Sequence, residues 1–309
     1  MNGMGAGDTV NVAGKLTNSI GGTFALSGAH DVANLGYITN AGTISISSGA
    51  ALNVTGGTHA AVNALPGFLN SGIVNISQGA TLSSPLSYVQ TSGQTTVDGT
   101  LNIAGRGMIN FAGGSVYGNQ GTIQGSITSN GAINIGDGPM TVGQLSFVGN
   151  YMQGANGSLT FDIAGAAAGQ YDQLNVSGHA KLNGLMTVDL INGFVPQVGN
   201  MSDMNFSSSS GTFSKVLGLP IDNQEHFVLE YNSTNLTLDV VPGQLSGLNA
   251  ASGFWFASNP ADNNGVSVIA SAIASQNDVP SSTPEPGSFL LLGSGLLCPG
   301  YAIRRRMTK

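Results

Sequence analysis

The sequence predicts an all-β fold, a right-handed parallel β-solenoid followed by a short C-terminal hydrophobic helix, and three observations carry that expectation. Charged residues make up only 7% of the 309 residues, while glycine occurs 47 times and hydrophobic residues reach 41%. An average soluble protein carries about 25% charge, and a disordered chain combines high charge with few apolar residues. Apolar and polar residues also alternate with period two over short runs bounded by Gly, Asn, Ser and Thr, the pattern of short strands joined by tight turns. Finally, a segment repeats: NAGTISISSGAAL, from Asn40 to Leu52, aligns without a gap on NSGIVNISQGATL, from Asn70 to Leu82. Strands this short cannot bury a face alone. Stacked as coils of roughly 20–30 residues, they share one core. A β-sandwich also places a turn every 8–12 residues or so; the gapless repeat and the scarcity of charge favour the solenoid.

The repeats run through residues 1–146. Looser echoes of the aligned segment start at Gly99, Asn119 and Asn130, each a turn signal followed by alternation, as in Ile133 and Ile135. Apolar members of each run are expected to point inward and the Ser, Thr and Asn members outward.

Residues 147–241 continue with longer units, among them Leu159–Ile163, Leu182–Leu190, Phe227–Tyr231 and Leu236–Val240. Tyr171-Asp-Gln-Leu-Asn-Val-Ser-Gly178, the Leu182–Val188 segment and Ser210-Gly-Thr-Phe213 together resemble the C-terminal part of autotransporter and adhesin passenger β-helices. The resemblance implies that the β-helix continues over this stretch, and it says little about a ligand. From 242 to 283 the pattern dissolves into small and polar residues, read as a cap and a stalk linker, with a short helix over Val266–Ala274. Within it Phe254-Trp255-Phe256 is either an aromatic plug over the last coil or a sugar-stacking platform.

The last segment, 284–309, has three parts in a fixed order. Pro284-Glu285-Pro286 is stiff and extended, because each proline fixes φ and disfavours helix in the residue before it. Residues 287–303 carry no charge, and Arg304-Arg305-Arg306 form a basic stop that holds its end on the cytoplasmic side. Seventeen residues at roughly 1.5 Å each span about 25 Å, short of a bilayer core of about 30 Å. Gly293, Gly295, Pro299 and Gly300 weaken the helix further. So marginal a span suits a segment held briefly in the membrane and then removed. The arrangement resembles the PEP-CTERM sorting signal of exopolysaccharide-producing Gram-negative bacteria. That resemblance implies that an exosortase-type membrane protease recognises Pro284-Glu285-Pro286 and removes the tail. The chain would then be exported, held transiently in the inner membrane and released to the cell surface or beyond. An ordinary C-terminal anchor is the competing reading. The opening MNGMGAGDTVNVAG lacks the basic and apolar regions of an export signal, so the sequence is expected to be a fragment.

Composition and spacing argue against several activities. Before the tail only Lys15, Arg106, Lys181 and Lys215 face fourteen acids, a surface that repels a phosphate backbone, so nucleic acid is not an expected partner. The one cysteine, Cys298, lies in the apolar tail, leaving the body without thiolate ligands or disulfides. His30, His59, His179 and His226 show neither metal nor triad spacing, and Asp262-Asn-Asn-Gly265 lacks the later Glu of a calcium loop. No cofactor, metal or catalytic residue is expected. Asn-x-Ser/Thr occurs eight times, as chance allows in so Asn-rich a chain. The expected role is an exported surface or matrix component, adhesin-like or associated with exopolysaccharide. A polysaccharide lyase or hydrolase on the same scaffold, which would need two acids brought together by folding, and a ligand-free spacer are the alternatives.

Overall fold

The computed structural model describes residues 7–56, 66–222, 224–243 and 257–258. They are all-β, and the chain passes repeatedly through three rows of parallel strands, one strand per row in each pass. Row three shows the stacking most simply: Thr23–Leu26, Thr43–Ile46, Ile73–Ile76, Gln94–Val97, Ser115–Tyr117, Ala132–Asn134, Ser158–Ile163, Leu185–Leu190 and Lys215–Leu217 lie side by side in that order. Rows one and two form a second, longer sheet. The long strands Thr9–Asn18 and Val32–Asn40 each serve both of its rows. In later passes separate strands do so, as with Thr81–Ser84 and then Tyr88–Gln90.

The register explains the sequence repeat. Asn40 lies opposite Asn70, Thr43 opposite Ile73 and Leu52 opposite Leu82, so the thirteen aligned positions are spatial neighbours in successive passes. Burial alternates along each strand, as at Ala51–Val54 and Thr81–Ser84, and the inward positions form continuous columns. One runs Leu52, Leu82, Leu101, Ile123. Another runs Phe24, Ile44, Val74, Thr95, Val116, Ile133, Leu159, Met186, Val216. Apart from the buried Thr95, these residues belong to one contiguous hydrophobic core. Each fully buried Leu or Ile contributes about 1.5–3 kcal/mol.

The turn between rows two and three repeats a second device. Asn18, Asn40, Asn70 and Gln90 stack in register with their side chains inside. Asn18 Nδ2 donates to Asn40 Oδ1 at 2.8 Å, Asn40 Nδ2 to Asn70 Oδ1 at 2.9 Å, and Asn70 Nδ2 to Gln90 Oε1 at 3.2 Å. The same amides reach forward to the carbonyl that opens the next row-three strand: Asn18 to Thr43, Asn40 to Ile73, and Gln90 to Ser115. Gln153 repeats the contact with Leu185. Buried backbone carbonyls at a corner need such donors, since the sheet ladder breaks there. Thr95, the polar member of the row-three column, is matched by the Tyr88 hydroxyl at 2.6 Å and by Gln90.

Glycine supplies the rest of this corner. Gly22, Gly42, Gly72, Gly93 and Gly114 follow one another pass by pass, and a Cβ on Gly42, Gly72, Gly93 or Gly114 would fall inside 3.0 Å of the carbonyl oxygen of the glycine before it. The backbones approach as closely as they do because no side chain stands between them.

The parallel pattern stops short of residue 241. Glu225–Tyr231 and Asn235–Pro242 pair antiparallel as a hairpin, and the second of these lies antiparallel against Gly199–Asn205 of row one. The sequence reading made these two strands further coils. Alternation of inward and outward residues is the same for either direction of pairing; the short Asn232-Ser-Thr234 connection is what makes them a hairpin. Tyr171, read as the start of a strand, makes only an isolated antiparallel bridge to Ile163, and the strand begins at Gln173. The expected C-terminal helix and the 266–274 helix lie outside the described residues. Among the described residues no helix is long and apolar enough to cross a membrane.

Candidate functional site

Two features of the body carry chemistry. The first is the outer face of row one. Asn11, Asn34, Asn53 and Ser83 occupy one column. Asn34 Nδ2 donates to Asn11 Oδ1 at 2.7 Å, Asn53 Nδ2 to Asn34 Oδ1 at 2.9 Å, and Ser83 Oγ to Asn53 Oδ1 at 2.6 Å. Asn205 Nδ2 donates to Asn175 Oδ1 at 2.9 Å farther along the same row. Beside these run Thr81, Thr100, Thr122 and Ser146, also in register. With parallel strands about 4.8 Å apart, the result is a regular, uncharged array of amides and hydroxyls. The Asn-x-Ser/Thr asparagines Asn53, Asn175 and Asn205 belong to this array, their side chains bonded to neighbouring passes.

The second feature is a set of acids near the end of the stack. Asp172 stands just before a row-one strand, buried, and accepts from the backbone N–H of Gly143 at 2.7 Å and of Asp162 at 2.8 Å. Asp31 does the same at an early pass, accepting from Gly28 N at 2.7 Å. Burial outweighs these donors at Asp172 and pushes its carboxyl up to about 8. Asp203 follows in the next pass. Alternation would turn it outward, since its partner row places Gln173 on the outer face and Leu174 opposite Met204 inside. A register shift between Ser202 and Met204, where the row meets the closing hairpin, turns Asp203 inward instead. It is wholly buried, and neither carboxylate oxygen has a hydrogen-bond partner among the described residues. Burial first, and then the charge of Asp172, hold its carboxyl well above the usual range.

Asp162 and Asp189 lie directly opposite one another in row three. Burial and then the charge of Asp189 hold the Asp162 carboxyl above its ordinary value. With Asn134, Met140 and Thr160 they line a pocket of about 170 Å³. Ligand pockets usually measure roughly 300–1,000 Å³. Folding thus brings two acids together that the sequence shows only as scattered.

The histidines are used otherwise. His179 Nδ1 meets Ser208 Oγ at 2.9 Å and its Nε2 meets Ser210 Oγ at 2.8 Å, which leaves neither nitrogen for an orienting carboxylate. His226 Nδ1 meets the Gly243 carbonyl oxygen. Among the described residues no three His, Cys, Asp or Glu side chains converge as a metal site.

Pro284, Glu285, Pro286, Arg304, Arg305 and Arg306, like Phe254, Trp255 and Phe256, lie outside the described residues, so the tail is known by its sequence. No curated protein matches the chain. The segment that combines the proline-flanked glutamate, the uncharged apolar run and the arginine stop does match a described motif: the chain carries the PEP-CTERM protein-sorting motif at residues 282–306, the mark of an exported protein that an exosortase, itself a membrane protein, sorts.

Proposed function

We propose that this protein is a non-enzymatic component of the bacterial surface or extracellular matrix, adhesin-like and associated with exopolysaccharide. Its body is a right-handed parallel β-solenoid like those of autotransporter passengers, delivered by a tail that is cut away. The sorting motif at 282–306 is the observation that carries the reading. Support for the solenoid comes from the three rows of parallel strands visited in turn by every pass, and for its hand from the strong preference of parallel crossovers for right-handed connection. The uncharged amide and hydroxyl array supports association with a neutral polymer, which meets it through many weak hydrogen bonds rather than one deep pocket. In this account residues 287–303 hold the chain in the inner membrane only until the protease acts.

The C-terminal mass of the protein recovered from producing cells tests delivery. We expect a mature chain that ends near Pro284-Glu285-Pro286, in the envelope or the medium. A chain ending at Lys309 in the membrane fraction would make residues 287–303 an ordinary anchor. Retention of the mature chain on the extracellular polysaccharide of the same cells tests the role of the body. Salt-insensitive retention is expected, because the array is uncharged; no retention on any glycan would leave a spacer.

The facing pair Asp162 and Asp189 favours one second reading, a glycoside hydrolase, since such enzymes need two carboxylates at fixed separation. The small pocket between them argues against it. We expect no oligosaccharide release from exopolysaccharide. Release that Asp162→Asn or Asp189→Asn abolishes would establish the enzyme.

A further inference from the structure

We infer that Asp172 and Asp203 form a proton-holding latch at the C-terminal end of the stack, which keeps the last row-one strand and its closing hairpin seated at acidic and neutral pH and releases them as the pH rises. Asp203 is wholly buried with both oxygens unpartnered, on a strand turned inward by a register shift. An ionised carboxylate cannot stay there unless something neutralises it. The neighbour whose charge acts on it is another acid, Asp172, whose two oxygens already accept backbone N–H groups. Behind Asp172 stand Asp162 and then Asp189, acids again. On the other side the hairpin strand Asn235–Pro242 brings Leu236 opposite Met204 and Thr237 opposite Ser202, and its acid Asp239 lies opposite Asn200. The nearest neutralising agent is therefore a proton. Protonated, Asp203 carries no charge, and the repulsion from Asp172 is gone.

Both groups hold their protons more tightly folded than unfolded, where an Asp titrates near 3.8. Their contribution is complete below that value and fades as the pH climbs through about 8, the Asp172 value. Acid therefore tightens this end of the molecule, and alkali opens it by ionising a group that must reach water. The opening is local, because it needs only the row-one strand Gly199–Asn205 and the hairpin to part from the pass beneath.

Thermal melting of the intact chain between pH 5 and pH 9, with and without Asp203→Asn, tests this. The wild-type melting temperature is expected to fall by at least about 5 °C over that range. Asp203→Asn, which is uncharged at any pH, is expected to remove about half of the fall and leave the part that Asp172 contributes. An unchanged slope in the variant would overturn the latch. So would a melting temperature at pH 7.5 that rises with added Ca²⁺ and drops with chelator in the wild type only, since a cation would then hold the pair. If the variant does not fold, the ¹³C resonance of the Asp203 carboxyl in the wild type decides: protonated at pH 7 supports the latch, ionised at pH 7 sinks it.

Discussion

Replacing Asn40 by Asp is expected to destabilise the protein by about 3–5 kcal/mol at pH 7, the largest single effect at an uncharged position. The Asn40 side chain is fully buried; its Oδ1 accepts from Asn18, and its Nδ2 donates to Asn70 Oδ1 and to the Ile73 carbonyl. The exchange keeps the shape and the acceptor but deletes both donations. Two carbonyl-type oxygens then face a third without a proton between them, in a medium where an unpaired polar group costs about 1–3 kcal/mol and a charge more. Because a buried carboxyl is driven to protonate, the loss should shrink as the pH falls toward 4. Asn40→Ala is expected to cost less, about 2–3 kcal/mol, since it removes the partner without adding a charge. Denaturant unfolding at pH 7 and pH 4.5 checks both. Equal losses for the two variants at pH 7 would show that this column fills space and little more.

Gly72→Ala is expected to cost about 3 kcal/mol, although it adds a single methyl group to a turn. That methyl would lie 2.6 Å from the Ala41 carbonyl carbon and 2.9 Å from its oxygen, and closer still to the Gly42 oxygen. The clash is with backbone that carries ladder hydrogen bonds, such as Ile73 N to Gly42 O at 2.8 Å. Neither side can yield without parting two passes, and overpacking of this kind costs roughly 1–3 kcal/mol or more. Gly14→Ala is the control. Nothing lies within 4 Å of its added Cβ, so the change should fall within about 1 kcal/mol of neutral. If both variants unfold at the same denaturant concentration, the glycines at this corner are there for turn flexibility and not for close approach.

These two expectations mark where sequence and structure part. The inward columns were legible, because Leu52 over Leu82 and Ile44 over Val74 combine a fixed turn chemistry with period-two alternation. The amide column was not legible: asparagines were expected to point outward, and Asn40 and Asn70, which are buried, stood out only as aligned positions of the repeat. Gln90 and Gln153 do the same work with a longer side chain, and the passes between them vary in length, so no fixed offset links them. The glycine corner left a trace in composition alone, since close approach of two backbones is a property of neither strand. Asp203 was illegible for a sharper reason: strict alternation places it outside with Gln173, and only the register shift beside the hairpin turns it in. The sorting tail needs no fold to be recognised, which is why its reading rests on the order of residues 282–306.

The antiparallel strand Asn235–Pro242 against row one has a further consequence for how these molecules behave in a crowd. A parallel row that ended on an open strand would offer the same geometry at its last edge that Thr9–Asn18 offers at its first. Identical molecules could then add head to tail, a contact that never closes and grows into fibres. The hairpin covers that edge: Asn235–Pro242 pairs antiparallel with Gly199–Asn205, and the outer strand Glu225–Tyr231 is itself met at Leu229 and Glu230 by the parallel strand Ala257–Ser258, so row one ends on strands that belong to no repeat. Row one thus carries its own chain terminator, and in a protein marked for export that row is kept from adding a second copy through the very repeat that builds it.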